Sequence, residues 1–328
     1  MLYLSYLNKL NFRRVINLFL LWASYRLSYL FKKPFVWAVP VSCSIEPLNF
    51  CNLQCPECFA GNGSLTRPKE MLDVFAYQRI INQFSPNTTF LTLYFQGEPL
   101  LHPDFAELVR IADQKGIFTS TSTNGHLLAK REIARKIIQS GLKHLIISVD
   151  GTTQETYEKY RKNGNLQQVL DGIRNITEMK KELKSKTPFV EIQFLVMRHN
   201  EHQIPEIKRL AKDLNKLTFK SVQIYNIDKS DLLPANKKYN RYRQNADGTL
   251  RIKRRFRNRC WRQWSSVVIA CNGDVVPCCF DKNAKYAFGN VFEKPLKEIW
   301  YGKKANDFRR AILTNRGNID ICCNCSEK

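Results

Sequence analysis

The chain has 328 residues, enough for one barrel-sized domain and a smaller one, and its 44% hydrophobic content excludes wholesale disorder. The formal net charge of +23 makes nucleic acid, an anionic lipid surface or an acidic substrate reasonable partners. The eleven cysteines are clustered, and seven of them lie after residue 259. Since no export signal is evident, clustered thiols predict metal ligation in a reducing, cytoplasmic environment rather than disulfides.

The N-terminal segment, residues 1–40, is rich in Leu, Phe, Tyr and Trp, with Arg and Lys among them. Its uninterrupted apolar stretch, Leu18 to Ala23, is far shorter than the roughly 20 residues that span a bilayer, and no cleavage site of a signal peptide follows. A basic helix carrying Phe19 and Trp22 either lies in a membrane interface or docks on the rest of the protein. We expect docking with some membrane affinity, and therefore a peripheral position at the inner face of the membrane.

Residues 41–226 alternate strand and helix patterns, which is typical of a parallel α/β fold. The predicted strands are Val41–Glu46, Phe90–Phe95, Ile117–Ser122, His144–Val149, Phe189–Met197 and Lys220–Tyr225. The predicted helices lie near residues 70–84, 103–115, 129–140, 166–184 and 203–216. Six strand–helix units are too few for a full eight-stranded barrel.

Three cysteines follow the first predicted strand. Cys51, Cys55 and Cys58 have the spacing C-x3-C-x2-C, with Phe59 directly after. Three thiolates are one too few for a closed tetrahedral zinc site, whereas a four-iron cluster on three cysteines keeps one iron open for a ligand. The spacing resembles the cluster motif of the radical S-adenosylmethionine (radical SAM) enzymes. The alternative is a zinc knuckle with a distant fourth ligand.

The resemblance implies a fold, two cofactors and a chemistry. Radical SAM cores are partial (β/α)6 TIM-like barrels, and the cluster loop lies at the C-terminal end of the first strand, where barrel enzymes keep their chemistry. A [4Fe-4S] cluster on the three cysteines binds S-adenosylmethionine through its open iron. An electron from the reduced cluster cleaves the cofactor, and the 5′-deoxyadenosyl radical abstracts a hydrogen atom from the substrate. The residue at the Phe59 position lies near the adenine, and a flavodoxin- or ferredoxin-type protein supplies the electron.

Two further segments resemble cofactor-binding segments of the same family. Gln96-Gly97-Glu98-Pro99, after the second strand, resembles the Gly-Gly-Glu-Pro segment that meets the methionine amino group, with Gln96 replacing its first glycine. Ser122-Thr123-Asn124-Gly125, after the third strand, resembles the Thr-Asn-Gly segment beside the cofactor. The alternative is an ordinary turn in each place. The resemblance assigns cofactor contacts to Gly97, Glu98, Thr123 and Asn124.

A third segment, Ser148-Val149-Asp150-Gly151, follows the fourth strand and resembles the family's Ser-x-Asp-Gly segment. The resemblance makes Ser148 a contact to the cofactor ribose. Asp150 serves either the cofactor or the substrate, and the sequence does not decide between them. The alternative is that Asp150 caps the following helix.

Strand parity predicts a polar barrel interior. On the fifth strand, apolar side chains share one face, and Glu191 and Gln193 point the other way. A sealed core would not hold so many unpaired polar groups, so we expect them to contact a ligand. We place the substrate above the barrel mouth, near Glu191, Gln193, Gln223 and Tyr225, and predict that Glu191 performs proton transfer.

Residues 227–258 show no periodicity and are predicted to form a basic linker. The stretch from Lys237 to Arg259 holds ten Lys or Arg and one acid, Asp247. It is either a solvated linker or a contact for an anionic partner. Nucleic acid is the less favoured partner, because no nucleic-acid-binding motif surrounds the stretch.

Residues 259–328 are predicted to form a separate cysteine-rich module. The spacing Cys260-x12-Gly273-x4-Cys278 and the closing Cys322-x2-Cys325 resemble the SPASM auxiliary-cluster domain, without its middle cysteine run. The resemblance to this shortened domain implies one auxiliary [4Fe-4S] cluster on Cys260, Cys278, Cys322 and Cys325. Whether Cys279 or Cys323 replaces its neighbour is open, and the alternative is a four-cysteine zinc site.

These observations favour a radical SAM enzyme that acts on a peptide, a protein or a small molecule. The rival hypothesis is a non-enzymatic, zinc-stabilised basic protein that binds nucleic acid or an anionic membrane surface. The rival accounts for the charge and the cysteines. It does not explain why cofactor-like segments occur at the ends of successive strands.

Overall fold

The computed structural model describes residues 11–225, 227–245, 247–253 and 257–325. Arg254 and Arg255 of the basic stretch and the first ten residues therefore lie outside the described part. The helices of the first half are α1 (Phe12–Phe31), α2 (Phe59–Asn62), α3 (Val74–Asn82), α4 (Phe105–Gln114), α5 (Arg131–Gln139), α6 (Gln154–Tyr160), α7 (Leu166–Glu182) and α8 (Ile204–Leu210). The later helices are α9 (Arg262–Ser265), α10 (Leu296–Tyr301), α11 (Lys303–Asn315) and α12 (Asp320–Cys323).

Six parallel strands form the centre of one large sheet. They are β1 (Ser42–Ile45), β2 (Phe90–Thr92), β3 (Phe118–Thr123), β4 (His144–Ser148), β5 (Phe189–Val196) and β6 (Lys216–Ser221). They are neighbours in chain order, with a helix between successive strands. The predicted partial barrel of six strand–helix units is confirmed.

The sixth strand lies four residues earlier than predicted. The sequence pattern placed it at Lys220–Tyr225, after a helix reaching residue 216, but helix α8 ends at Leu210 and β6 begins at Lys216. Lys216 pairs in register with Glu191 of β5, and its ammonium lies 3.1 Å from the Glu191 carboxylate. Lys216, which the sequence pattern assigned to the end of a helix, is therefore the first residue of the strand.

The C-terminal segment continues the barrel sheet. Strand β9 (Ser266–Ile269) pairs parallel with β1, and β10 (Asp274–Val276) and β11 (Gly289–Asn290) follow antiparallel. Strands β9 and β10 form a hairpin, and Gly273 adopts φ +87° at its turn. The cysteines of this segment are thereby tied directly to the barrel, and the division of the chain at residue 259 stays a prediction.

The predicted linker is not featureless. It contains an antiparallel hairpin of β7 (Tyr242–Gln244) and β8 (Leu250–Ile252). Three-residue strands are too short for a period of two to be recognised in the sequence. The hairpin lies against the part of the chain after β6, since the Tyr242 hydroxyl accepts a hydrogen bond from Ile224 N at 2.9 Å.

The hydrophobic core lies between the sheet and its surrounding helices. Val190, Ile192, Phe194 and Val196 of β5 belong to it, which confirms the apolar face predicted for this strand. Cys43 is fully buried in the same core, as its position on the apolar side of β1 predicts. Within the described residues, no helix is long and apolar enough to cross a bilayer.

Candidate active site

The cysteine loop follows β1 at the C-terminal end of the barrel strands. Cys55 is buried, and Cys51 and Cys58 are half-buried. The pKa of Cys51 is raised to about 12, mainly by burial and also by the charges of Glu98, Cys58 and Cys55. The loop is held locally by a hydrogen bond from Cys58 N to Cys55 O at 3.1 Å. The three thiols therefore lie within electrostatic range of one another, as a shared iron–sulfur cluster requires.

Glu98 joins the cysteine loop to the ends of β2 and β3. Its buried carboxylate accepts hydrogen bonds from Thr123 Oγ1 at 2.6 Å and from Asn124 N at 2.7 Å. Asn124 in turn donates from Nδ2 to Asn52 Oδ1 at 2.8 Å, and the same nitrogen lies 3.9 Å from Cys51 Sγ. Burial raises the pKa of Glu98, and the hydrogen bonds partly offset this effect. These hydrogen bonds thus bring together the cysteine loop, the segment after β2 and the segment after β3, which are far apart in the sequence.

Gly97 allows the β2 segment to approach the cysteine loop. Its φ is +74°, and a Cβ atom there would lie 2.7 Å from the carbonyl oxygens of both Leu48 and Phe50. The next residue, Glu98, donates its backbone N–H to Phe50 O at 2.9 Å. The glycine is therefore required by both the backbone conformation and the close contact.

Asp150 lies at the end of β4 and forms a buried ion pair with Arg161. The Asp150 carboxylate accepts from Arg161 Nε at 2.6 Å and from Leu195 N at 2.7 Å. Thr153, rather than Asp150, caps helix α6. Arg161 Nη1 lies 3.8 Å from Cys55 Sγ, so the pair extends to the cysteine loop.

Arg161 was missed by the sequence analysis. Burial opposes its charge, but Asp150 and Cys55 outweigh burial and raise the pKa of Arg161 well above its ordinary value. A buried aspartate needs a cation, which is a signal that such a partner exists. The sequence does not show which arginine supplies it.

A cavity of about 320 Å³ opens beside the cysteine loop. Cys58, Phe59 and Gly97 form part of its wall, and Gln223 and Tyr225, which we predicted to lie near the substrate, form another part. The rings of Phe59 and Tyr225 meet edge to face, with centroids 5.0 Å apart. Arg241 and Lys282 also line the cavity and give it a cationic side.

Ser148 and Glu191 occupy different heights in the barrel. Ser148 is buried at the last position of β4 and pairs in register with Gln193. Glu191 lies near the beginning of β5, where its carboxylate is 3.2 Å from His144 Nε2 and 3.1 Å from Lys216 Nζ. Our expectation that Glu191 lies at the barrel mouth was wrong, because parity predicts the face of a strand but not the height on it. Its catalytic role stays a prediction.

Three of the four predicted auxiliary cysteines, Cys260, Cys322 and Cys325, lie near Arg316. Burial opposes the charge of Arg316, but these three cysteines outweigh burial and raise the pKa of Arg316. Burial raises the pKa of Cys278, and the charges of Cys279, Cys260 and Cys322 add to this effect. Cys278 is therefore within electrostatic range of two of the other three cysteines, and Arg316 is a neighbour that the sequence analysis missed.

The two adjacent cysteines face elsewhere. Cys279 packs with Phe95 and Val276 on the barrel side. Cys323 is exposed, and its thiol donates to Gly317 O at 3.2 Å. Within the described part of the chain, no three His, Cys, Asp or Glu side chains are arranged to hold a single metal ion. The donor atoms at both sites are soft cysteine thiolates, a ligand type that suits iron–sulfur clusters and zinc alike.

Glu46 and Arg67 connect the two cysteine sites. The Glu46 carboxylate is fully buried and receives both terminal nitrogens of Arg67, each at 2.7 Å. It also accepts from Cys271 N at 3.1 Å, and Arg67 Nε donates to Lys282 O at 2.9 Å. The bidentate pair therefore anchors the end of β1 to the segment that carries the auxiliary cysteines.

Two family profiles match the chain. The profile described as the Radical SAM superfamily matches residues 45–211. The profile described as SPASM, an iron–sulfur cluster-binding domain, matches residues 260–326. The first match contains the cysteine loop and the cofactor-like segments, and the second contains the four auxiliary cysteines.

Characterised proteins of similar sequence and fold span most of the chain. It is 26% identical over 318 residues to the tungsten-containing aldehyde ferredoxin oxidoreductase cofactor-modifying protein of Pyrococcus furiosus, covering 86% of each chain. The solved structure of BtrN in complex with AdoMet and 2-DOIA has a TM-score of 0.54 at 19% identity, covering 88% of this chain and 94% of that one. The structure of anSMEcpe with bound AdoMet and Kp18Cys peptide has a TM-score of 0.56 at 16% identity, covering 87% and 88%. These two structures share the fold.

Proposed function

Since the chain belongs to the radical SAM superfamily and carries a SPASM domain, we propose that it generates a substrate radical in the cavity beside the cysteine loop. The chain is a radical SAM enzyme. Its cofactors are a catalytic [4Fe-4S] cluster, S-adenosylmethionine and an auxiliary [4Fe-4S] cluster. Cys51, Cys55 and Cys58 would hold the catalytic cluster, which when bound and reduced would supply the electron for cleavage of S-adenosylmethionine and so the chemistry for hydrogen abstraction from the substrate.

The observation that carries this proposal is the hydrogen-bond network of Glu98. It fixes Thr123 and Asn124 beside the cysteine loop, with Asn124 Nδ2 at 3.9 Å from Cys51 Sγ. In our proposal Cys51, Cys55 and Cys58 hold the catalytic cluster, and Gly97 and Glu98 shape the site for the methionine part of the cofactor. Phe59 contacts the adenine, and Ser148 contacts the ribose. Asp150 positions Arg161 against the loop.

The auxiliary site supports a cluster on Cys260, Cys278, Cys322 and Cys325. We assign Cys278 rather than Cys279, because Cys279 packs in an apolar cluster on the barrel side. We assign Cys322 rather than Cys323, because the Cys323 thiol is exposed and bonded to Gly317 O. Arg316 lies near Cys260, Cys322 and Cys325 and balances part of the negative charge of the four ligands.

The substrate in this proposal is a peptide, a protein or a small molecule with negative charge. The solved structures of similar fold hold one substrate class or the other, since one contains 2-DOIA and one contains a peptide. Arg241 and Lys282 on the cavity wall favour an anionic group. A flavodoxin- or ferredoxin-type donor supplies the electron, and the N-terminal helix contacts a membrane surface.

Cleavage of S-adenosylmethionine tests the proposal without knowledge of the substrate. After anaerobic reconstitution and reduction with dithionite, we expect the wild type to release 5′-deoxyadenosine and the Cys55→Ala variant to release none. Cys43→Ala is the matched control, because Cys43 is a buried cysteine of the core. Equal 5′-deoxyadenosine from wild type and Cys55→Ala would contradict the proposal.

A further inference from the structure

Helix α1 is docked with its apolar side facing outward. Six of its seven large exposed apolar side chains lie on one face of the helix: Phe12, Val15, Ile16, Phe19, Trp22 and Leu30. The seventh, Phe31 at the last position, lies off this face and packs against Phe35. The buried residues lie on the opposite face, and three of the four are polar: Asn17, Leu21, Ser24 and Ser28. At 3.6 residues per turn the two sets are separated by about half a turn. This is the reverse of an ordinary surface helix, whose apolar side faces the core.

The inward side is fixed by polar contacts to the segment that follows the helix. Asn17 Nδ2 donates to Val39 O at 3.0 Å, and Val39 N donates back to Asn17 Oδ1 at 3.2 Å. Phe35 N donates to Ser28 Oγ at 2.8 Å. Because these bonds would be lost on rotation of the helix, they hold its apolar side toward solvent.

Aromatic packing fixes the helix to the cysteine-rich segment. The ring of Tyr25 meets Trp261 edge to face at 5.2 Å and Trp264 at 5.5 Å. Trp264 Nε1 also donates to Phe35 O at 2.8 Å. The orientation of α1 is therefore set by the body of the protein, and Phe12, Phe19 and Trp22 stay 80%, 62% and 54% exposed.

The charges on α1 and on the segment directly after it have one sign. No acidic residue occurs before Glu46, whereas Arg13, Arg26, Lys32 and Lys33 are exposed on α1 or directly after it. The Arg26 guanidinium lies 5.9 Å from the centre of the Trp22 ring. Aromatic rings beside basic side chains are the composition of helices that lie in the interface of an anionic bilayer.

We propose that α1 docks the protein on an anionic lipid surface. Phe12, Phe19 and Trp22 insert between the headgroups, and the lysines and arginines beside them bind the lipid phosphates. A second copy of the chain fits this surface poorly, because its own cations would meet those of the first copy. The proposal deepens the membrane contact proposed above and does not depend on the radical chemistry.

Vesicle flotation with the full chain tests this proposal. We expect it to bind vesicles of phosphatidylcholine with phosphatidylglycerol, and to bind pure phosphatidylcholine vesicles far more weakly. Phe19→Ser/Trp22→Ser should weaken binding by about tenfold or more, since two large apolar side chains no longer insert. The matched control is Met71→Ser/Phe75→Ser, two exposed apolar residues outside α1.

The electrostatic part is tested separately. Arg26→Glu/Lys32→Glu/Lys33→Glu should weaken binding by about tenfold or more. Lys208→Glu/Lys212→Glu/Lys297→Glu, which changes three exposed lysines elsewhere and alters net charge equally, should change it much less. Circular dichroism confirms that each variant is folded.

Three results would overturn the proposal. The first is unchanged vesicle binding by Phe19→Ser/Trp22→Ser. The second is a lipid-free dimer of the wild type that this variant abolishes, since it would make a second copy the occupant. The third is vesicle binding that begins only after residues 1–10 are deleted, since it would mean that these residues cover the face. S-adenosylmethionine cleavage is measured in solution, so either proposal can fail while the other holds.

Discussion

Buried charge is concentrated beside the cysteine loop. The Asp150–Arg161 pair has side-chain exposures of 1% and 16%, and Arg161 also reaches Cys55. Removing one member of a buried pair leaves the other charge without compensation, which costs far more than losing an exposed pair. Arg161 is thus expected to support both the stability of the barrel mouth and the position of the loop.

We predict that Arg161→Met lowers the free energy of unfolding by about 3–5 kcal/mol, because it leaves Asp150 buried and unpaired. Arg131→Met removes the exposed ion pairs with Glu178 and Glu182 and should lower the free energy of unfolding far less, because water screens exposed charges. Urea denaturation of the two variants measures the difference. Equal losses in the free energy of unfolding would mean that water screens the Asp150–Arg161 pair as strongly as it screens an exposed ion pair.

A second prediction concerns pH. Burial tends to raise the pKa of Glu191, but hydrogen bonds from His144, Thr218 and Lys216 dominate and lower it to about 2 from an ordinary value of 4.5. The ionised carboxylate therefore stabilises the folded protein above pH 4.5, and this contribution is lost as the pH falls toward 2. Glu191→Gln does not titrate, so its stability should fall less steeply than that of the wild type across this range.

Acid titration followed by circular dichroism measures this difference. Glu298→Gln, a change at an exposed glutamate, is the control and should follow the wild type. Identical acid transitions in wild type and Glu191→Gln would contradict the assigned ion network. If S-adenosylmethionine cleavage survives in Glu191→Gln, the residue supports the barrel rather than the cleavage step.

The choice between adjacent cysteines gives a third prediction. Cys278 lies among the auxiliary thiols, whereas Cys279 packs against Phe95 and Val276. After reconstitution, Cys278→Ala should lose about four irons per chain, and Cys279→Ala should retain them. If Cys279→Ala instead lost the irons and Cys278→Ala retained them, Cys279 would be the ligand, and the auxiliary cluster would lie on the barrel side of the hairpin.

Among the elements, the turn after β2 has the strictest backbone requirement. Gly97 combines a φ of +74° with contacts that a Cβ atom would bring to 2.7 Å. Gly116 has a similar φ of +68°, but no atom lies within 4 Å of a Cβ placed there. Alanine substitutions at Gly97 and Gly116 therefore separate two effects. Both place a Cβ atom on a residue with positive φ, but only the substitution at Gly97 also brings that atom against neighbouring backbone.

We predict that Gly97→Ala displaces Glu98 from the cysteine loop, because the added methyl group would overlap backbone atoms as in an overpacked core. Binding of S-adenosylmethionine should weaken by about tenfold or more. Gly116→Ala should cost about 1 kcal/mol of stability and leave binding unchanged. Isothermal titration of the reconstituted variants measures both affinities. Normal binding by Gly97→Ala would show that the β2 turn is not part of the cofactor site.

Elements with strong local patterns were predictable from the sequence. The first five strands follow clear alternation between turn signals, and each prediction overlaps the observed strand. The sixth strand was misplaced because Lys216 begins it, where the ion pair with Glu191 compensates an unfavourable local preference. The short hairpin of β7 and β8 carries too few residues for its pattern to be seen.

For the whole molecule, the unpredictable features are contacts between distant segments. Arg161 reaches Cys55 across 106 residues, and Cys271 N reaches Glu46 across 225. Local sequence indicates that a buried carboxylate needs a partner, but only the folded chain selects it. The candidate ligand cysteines, in contrast, stand out in the sequence because their spacing is itself the signal, and their role as ligands stays a prediction.

The two proposed iron–sulfur clusters are each held by a segment that belongs to one continuous sheet. Strand β1 leads to the cysteine loop, and its neighbour β9 leads to the auxiliary cysteines. Glu46 and Arg67 tie the two regions together. Loss of the catalytic ligands should leave the auxiliary cluster in place, because three of its four cysteines lie near Arg316, which is not part of the Asp150–Arg161 pair beside the cysteine loop.

The most direct measurement is the iron, sulfide and zinc content per chain after anaerobic purification and reconstitution, compared between the wild type and Cys51→Ala/Cys55→Ala/Cys58→Ala. We predict about eight irons in the wild type and about four in the variant, with matching sulfide. Zinc without iron in the wild type, or an iron content that the triple substitution leaves unchanged, would contradict the account.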